Sequence, residues 1–319
     1  EHAAAAVGLH QGGGQPAVGL TDNIMVGQLG DTALSGVYMA NQWTALLQKF
    51  IQGFCTASLV IATQYWGRRD TESIKTISAM TAKFCLVTAL IFFGLAFFFP
   101  RWVLGMYTNE EAVIEESMRY LRVVCFSYLF YCVTEVLISS LRCVETVGIG
   151  LYLSICTLIV NVCLNYVFIF GKLGMPRLGV AGAAVATLVA RVIETGIMLY
   201  YVKVRDQKLR LKARDFFRHS RVLLKDYIRY GIPIFAGSAM WGINSTVQSA
   251  IIGRLGESAI SAVSISNNLF EIISVAMYGV SSATGIIIGK TVGSGDYDLV
   301  KQYAKTLQLV FVGMGLGTS

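Results

Sequence analysis

The chain has 319 residues, a net charge of +7 and a mean hydropathy of +0.60; 55% of its residues are hydrophobic and only 14% are charged. A soluble domain carries about 25% charged residues, so this composition excludes an ordinary soluble enzyme or binding module and points to a membrane protein. The charges that exist cluster between long apolar runs.

From the N-terminus, Glu1 to Gln15 reads EHAAAAVGLHQGGGQ, too polar and glycine-rich to span a bilayer. It also lacks the basic start and apolar centre of a signal peptide. We expect residues 1–20 to be an atypical remnant of a first helix. A run of about 20 apolar residues crosses the ~30 Å hydrocarbon core as a helix. Candidate spans follow at Leu34–Tyr65, Met80–Met106, Arg119–Leu141, Ile149–Phe170, Gly179–Val204, Tyr227–Ile252 and Ala259–Lys290, with an eighth opening at Leu299. Several exceed the minimum length, which predicts tilts or kinks. The fold class is an all-α polytopic membrane protein.

Positive loops give the orientation. The stretch from Lys203 to Arg229 holds ten of the 26 Lys and Arg residues. Arg68, Arg69 and Lys75, then Arg142, then Lys301 and Lys305 fall on the same side by alternation. The opposite loops are acidic, as at Asn109-Glu110-Glu111, or nearly neutral, as at Gly256-Glu257. Lys172 and Arg177 depart from the pattern. Positive residues mark the cytoplasmic face. The basic stretch is read as an orientation signal and a surface for anionic membrane lipids, not as a nucleic-acid site.

Residues 22–75 lie over residues 248–301 with a constant offset of 226 and no gap. Gly27-Gln28-Leu29-Gly30 falls on Gly253-Arg254-Leu255-Gly256, Asn41 on Asn267, Gly53 on Gly279, Gly67 on Gly293 and Asp70 on Asp296. A duplicated block of membrane helices implies a two-lobed transporter, and copies restarting in one orientation are parallel repeats. We expect an N-terminal lobe at 21–204, a basic cytoplasmic linker at 205–226 and the start of a C-terminal lobe at 227–319. Repeat arithmetic would place about three further helices beyond residue 319. Enzyme signatures are absent: Gly285 to Thr291 is one residue short of a phosphate-binding loop and ends a span. The seven cysteines, Cys55 to Cys163, form no CxxC pair and read as small buried apolar residues.

Several stretches resemble the multidrug and toxic compound extrusion (MATE) family. Thr21-Asp22-Asn23-Ile24-Met25-Val26-Gly27-Gln28-Leu29-Gly30 looks like the end of its first helix. Ala62-Thr63-Gln64-Tyr65-Trp66-Gly67-Arg68-Arg69-Asp70 is similar to its second-to-third helix junction. Asn161 to Gly171 and Leu178 to Thr187 resemble its fifth and sixth helices, and Gly231-Ile232-Pro233-Ile234 the start of the seventh. The resemblance covers about residues 20–319 in register. It implies twelve helices in two six-helix lobes of a multi-pass protein of the bacterial cell membrane. Such proteins export cationic or amphiphilic compounds in exchange for Na⁺ or H⁺, without another cofactor or an obligate protein partner.

An ionisable side chain inside a span is a functional candidate. Asp22 sits about two helical turns inside the outer boundary, where a carboxylate can take a proton or give oxygen ligands to Na⁺. In the resemblance it matches the first-helix aspartate implicated in coupling. Asn161 and Asn165, four apart on one helical face, could complete a cation site, with Thr187 adding a hydroxyl. Some family members carry a carboxylate where Asn165 stands, so this site keeps one negative charge and both ions stay open. Substrate-cavity candidates are Asn41, Tyr128, Glu135, Asn267 and Glu271. Glu194 can pair with Arg191 three residues earlier. Part of the family has a glutamate where this chain has Trp241. The alternatives are a lipid-linked oligosaccharide flippase of the same superfamily and a non-transporting membrane remnant.

Overall fold

The computed structural model describes residues 22, 24–172, 174–252, 277 and 279–318. Among these the regular structure is helical throughout. Residues 22 and 24–27 are helical and lead through a turn into α1 (Asp31–Gly67). At 1.5 Å per residue α1 is about 55 Å long, well beyond the hydrocarbon core. Asp31 lies in its first turn, where a negative charge suits the positive end of the helix dipole.

α2 (Thr71–Phe98) starts nine residues before the predicted Met80. Asp70 is the reason: its Oδ1 accepts from the Ser73 amide at 3.1 Å and its Oδ2 from the Ser73 hydroxyl at 2.5 Å, which caps the helix ahead of the apolar run. The predicted end at Met106 also fails. The helix stops at Phe98, because Pro100 cannot donate to the preceding turn and instead opens a separate short helix, α3 (Pro100–Gly105).

The predicted span Arg119–Leu141 is two helices, α4 (Glu111–Val124) and α5 (Ser127–Cys143), bent by 53°. No proline or glycine marks the break. Phe126 N and Tyr128 N bond to carbonyls three residues back, at 3.3 and 3.1 Å, and the Ser127 hydroxyl donates to Val124 O at 2.6 Å. A tightened turn with a hydroxyl on the ladder bends the axis.

α6 (Gly148–Phe170) ends on Gly171 at φ 67°, a left-handed cap that glycine adopts without a Cβ penalty. α7 (Val180–Val204) returns beside it, close enough that a Cβ on Gly182 would lie 2.5 Å from Phe168 O. A 3₁₀ turn (Ala213–Phe217) then leads to α8 (Arg221–Ile252), which contains the predicted Tyr227–Ile252 and runs through Pro233. Helix α9, residues 279–294, precedes α10 (Tyr297–Thr318). Asp296 Oδ1 accepts from Leu299 N at 3.0 Å, so the repeat partners Asp70 and Asp296 cap equivalent helices. The predicted outer turn at Gly253–Glu257 and the residues from Ala259 to Ala276 lie outside the described residues.

Among the described residues four helices, α1, α2, α6 and α7, are long and apolar enough to cross a membrane, and the bent α4–α5 pair, taken as one span, gives a fifth. The chain is a multi-pass integral membrane protein. α8 is equally long but carries Ser238, Asn244, Ser245, Thr246, Gln248 and Ser249.

The basic loops gather at one end. Lys208 Nζ donates to Val144 O at 2.7 Å, Lys83 Nζ to Arg218 O at 2.9 Å, and Arg218 pairs with Glu72. The turns after α1 and α5 therefore share an end with the linker, as the charge alternation predicts. Buried Val37, Leu47, Cys85, Leu104 and Tyr128 centre one apolar cluster, and Ile74, Ile77, Leu137, Leu141 and Met198 a second one nearer the basic end. Cys55, Cys85, Cys125, Cys132 and Cys143 are buried and unpaired as expected, whereas Cys163 is exposed on α6.

Candidate functional site: a buried carboxylate–asparagine cluster

Three of the four coupling residues come together. Asp22 is 5% exposed, Asn161 1% and Asn165 0%. The Asn165 amide donates to Asp22 Oδ1 and also to Asn161 Oδ1, the latter at 3.0 Å. α6 supplies both asparagines from one face, four residues apart, and the helix before α1 supplies the carboxylate. A charge so deeply buried needs a partner, a cation or a proton. Two polar atoms of the cluster, Asn165 Oδ1 and Asn161 Nδ2, are buried without a hydrogen-bond partner among the described residues. An orphaned amide oxygen beside a carboxylate is the donor set that a small hard cation takes, and the residues present fit such an ion.

Thr187 sits apart from the trio: its hydroxyl donates to Ala183 O at 3.1 Å on its own helix. It joins the cluster indirectly. The Tyr120 side chain, 2% exposed on α4, reaches both Thr187 and Asn41 and lies in the field of Asp22. Sequence reasoning missed Tyr120, because an aromatic on an amphipathic helix carries no mark separating packing from polar contact. Asn41, half-buried on α1, is thereby placed against the same cluster.

The predicted Arg191–Glu194 pair forms at 2.7 Å on α7, and the Arg191 guanidinium lies 5.3 Å above the Tyr131 ring. Its positive charge acts on Asp22 through space. Glu135 lines a polar cavity of about 80 Å³ between α1 and α5, together with Gln52, Thr56, Ser139 and Arg142. That volume holds two or three waters at roughly 30 Å³ each, too few for a drug-sized molecule. Arg142 Nη2 is buried there without a partner.

Tyr128 is not on an open wall. It is 1% exposed, with its hydroxyl 3.1 Å from Thr44 Oγ1, because the bend after α4 turns it into the lobe interior. Asn267 and Glu271 lie outside the described residues. Trp241, at the place where part of the family carries a glutamate, lies under the Lys49 ammonium at 4.8 Å. A ring face can hold that cation.

The MatE family profile matches residues 14–167 and 233–319, which is most of the chain. The chain belongs to the MatE family. The "Probable multidrug resistance protein NorM" of Rhizobium meliloti (strain 1021) is 29% identical over 302 residues, covering 94% of this chain and 64% of that protein. The "Uncharacterized transporter YisQ" of Bacillus subtilis (strain 168) is 23% identical, covering 95% and 66%. The chain thus spans about two thirds of the length of these relatives. Among solved structures, the MATE multidrug transporter DinF-BH superposes with a TM-score of 0.87 at 18% identity, covering 99% of this chain and 69% of that one. An outward-facing multidrug resistance MATE family transporter of the MOP superfamily gives 0.82 at 19%, covering 98% and 68%. At these identities the structural likeness establishes the MatE fold and nothing finer.

Proposed function

We propose that this MatE chain forms part of a secondary antiporter that exports cationic or amphiphilic compounds in exchange for Na⁺ or H⁺ by alternating access. The observation that carries the reading is the buried Asp22–Asn165–Asn161 cluster with its orphaned amide oxygen. Asp22 supplies the single negative charge, and Asn165 and Asn161 orient it and offer neutral oxygens. Tyr120 borders it and links it to Thr187, and the Arg191 charge adds a minor attraction. One charge binds one monovalent cation or one proton and then has little attraction left for a second, so ion and substrate compete for the lobe. In this reading residues 21–204 form the first lobe and 227–319 the start of the second. Asn41, Glu135, Asn267 and Glu271 are the candidates for substrate contact, and Tyr128 is packing.

The names of the relatives support efflux of drugs, and the family's transporters support a role without enzymatic chemistry. The test is efflux of a fluorescent amphiphilic cation from cells expressing the full-length protein. Dye should leave faster than in cells carrying the empty vector, and collapse of the ion gradients should stop it. Equal dye retention with and without the protein would remove the reading.

A further inference from the structure

The two copies of the repeat touch each other at the basic end, and they touch at equivalent residues. A Cβ on Gly67 of α1 would lie 2.1 Å from the Lys290 carbonyl oxygen of α9. A Cβ on Gly293 of α9 would lie 2.0 Å from the Gln64 carbonyl oxygen of α1. Under the offset of 226, Gly67 is Gly293 and Gln64 is Lys290. One turn earlier, a Cβ on Gly289 would lie 2.1 Å from the hydroxyl of Thr63, its own repeat partner. Residue i meets the partner of j while j meets the partner of i, which is the contact rule of a two-fold axis. The duplication seen in one dimension is therefore a pseudo-two-fold helix crossing in three.

Both obstacles at Gly67 and Gly293 are backbone carbonyls, so no side chain could swing away to admit a methyl group. Only glycine lets two helix backbones approach this closely. Around the crossing lies a clasp of weaker polar contacts. Lys290 Nζ donates to both carboxylate oxygens of Glu145, at 2.8 and 3.0 Å, and the Trp66 indole donates to the same carboxylate at 3.4 Å. Arg68 Nε donates to Gly293 O at 3.3 Å. Glu145 sits in the turn between α5 and α6 at φ 58°, a left-handed backbone rare outside glycine. It is held there by its amide on Arg142 O at 3.0 Å and by Lys208 on the adjacent carbonyls. This left-handed residue closes the C-terminal turn of α5, which fixes where its carboxylate points. The Lys290–Glu145 pair is about two-fifths exposed on each side, and such pairs break at little cost.

We propose that the Gly67–Gly293 crossing is the inner gate of the transporter, sealed by backbone contact and latched by Glu145 with Lys290. It rests on the alternating-access reading: the lobes separate here when the path opens to the cytoplasm, which is the side that the basic loops mark. The glycines give a seal without side chains to repack, and the exposed ion pair gives a latch that can release in every cycle.

The experiment places spin-labelled non-natural side chains at Arg69 and Tyr297, both exposed beside the crossing, in the full-length protein in lipid nanodiscs. The parent should show a dominant short-distance population. Gly67→Leu and Gly293→Leu should each convert most of it to a longer one, to similar extents. Gly94→Leu, at a glycine with open space around it, should change nothing. Glu145→Lys should raise the longer population about two-fold, and Lys290→Glu in the same chain should reverse that rise. Glycine variants that keep the parent distances, or only one of the two moving them, would overturn the gate. If the leucine variants do not fold, the charge swap decides: no rise, or a rise that the swap leaves in place, overturns the latch. Distances that respond in a protein moving no dye would sink the transport reading and leave the gate standing.

Discussion

Helix α5 is buried nearly all round inside its lobe, whereas α8 presents a stripe. α5 buries 13 of its 17 residues, including Thr134, Ser139, Ser140 and Arg142. α8 buries six of 32, namely Leu223, Tyr227, Gly231, Ala239, Gly242 and Ser249. Inside the lobe polar side chains lock the helices in register: Ser140 to Ser78 at 2.8 Å, Thr134 to Thr195 at 2.9 Å, and Ser139 to Cys55 O at 3.0 Å. Against α8 the contact is mainly aromatic and glycine-lined, with a few cross-helix hydrogen bonds such as Tyr227 to Phe54 O and Ser249 to Gln42, both at 2.9 Å. Phe54 stacks on Phe235 at 4.2 Å, a Cβ on Gly53 would sit 3.0 Å from Ser238 Cβ, and one on Gly231 3.2 Å from Ala57 Cβ. Ring faces and small residues can slide or part with few donors left unpaired, whereas a dense network of hydroxyls cannot. The difference separates a densely cross-bonded body from a contact surface with fewer polar ties.

Five substitutions sharpen or break that contrast, and the largest effect belongs to the buried charge. In the full-length protein, Asp22→Asn should cut gradient-driven efflux by about 100-fold or more, since no other negative charge among the described residues joins the cluster. Dye efflux from vesicles checks it, with protein level as control. Next is the rigidity of the lobe. Glu194→Gln leaves Arg191 buried without its partner, and breaking a buried pair this way costs about 3–5 kcal/mol. The thermal midpoint of the purified protein should fall accordingly, whereas Lys290→Gln at the half-exposed pair should cost about 0–1 kcal/mol. Equal losses would erase the contrast between the interior and the less tied surface.

A smaller effect is expected at the amide. Asn165→Ala should weaken Na⁺ binding about ten-fold by removing one neutral oxygen ligand, an effect of about 1.4 kcal/mol. A titration of ion-dependent tryptophan fluorescence measures it. Smallest is Asp70→Ala, which removes a helix cap and should cost about 1 kcal/mol. The hydroxyl and then the amide of Ser73 hold the Asp70 carboxyl below the usual carboxylate range. With the folded value lowered, its contribution is complete above the unfolded value of about 3.9 and is lost as pH falls through the folded one. The cost of Asp70→Ala should therefore be present at pH 7 and shrink below about pH 4, measured by the same thermal midpoints.

What the residues disclosed in advance depended on whether the signal was periodic. The offset of 226 paired Gly67 with Gly293 and Asp70 with Asp296, and the structure gives each pair one shared job. Asn161 and Asn165 were legible because a spacing of four sets two amides on one face of an apolar helix. The break between α4 and α5 was not, because its cause is Ser127 bonding back to Val124, and serines occur throughout membrane helices without bending them. The early start of α2 was hidden by its polar first turns, although Asp70 and Ser73 spell a cap. Tyr120 stayed invisible because its partners, Asn41 and Thr187, come from two other helices. The burial of Tyr128 follows from the bend and shares its obscurity.

The central claim is that one carboxylate couples ion movement to substrate movement. Full-length parent and Asp22→Asn protein should be reconstituted in proteoliposomes, and dye transport followed after imposing a pH gradient or a Na⁺ gradient. The account predicts transport driven by one of the gradients in the parent and none above the lipid background in Asp22→Asn, with the variant still folded by its thermal midpoint. Gradient-driven transport that survives Asp22→Asn unchanged would contradict it.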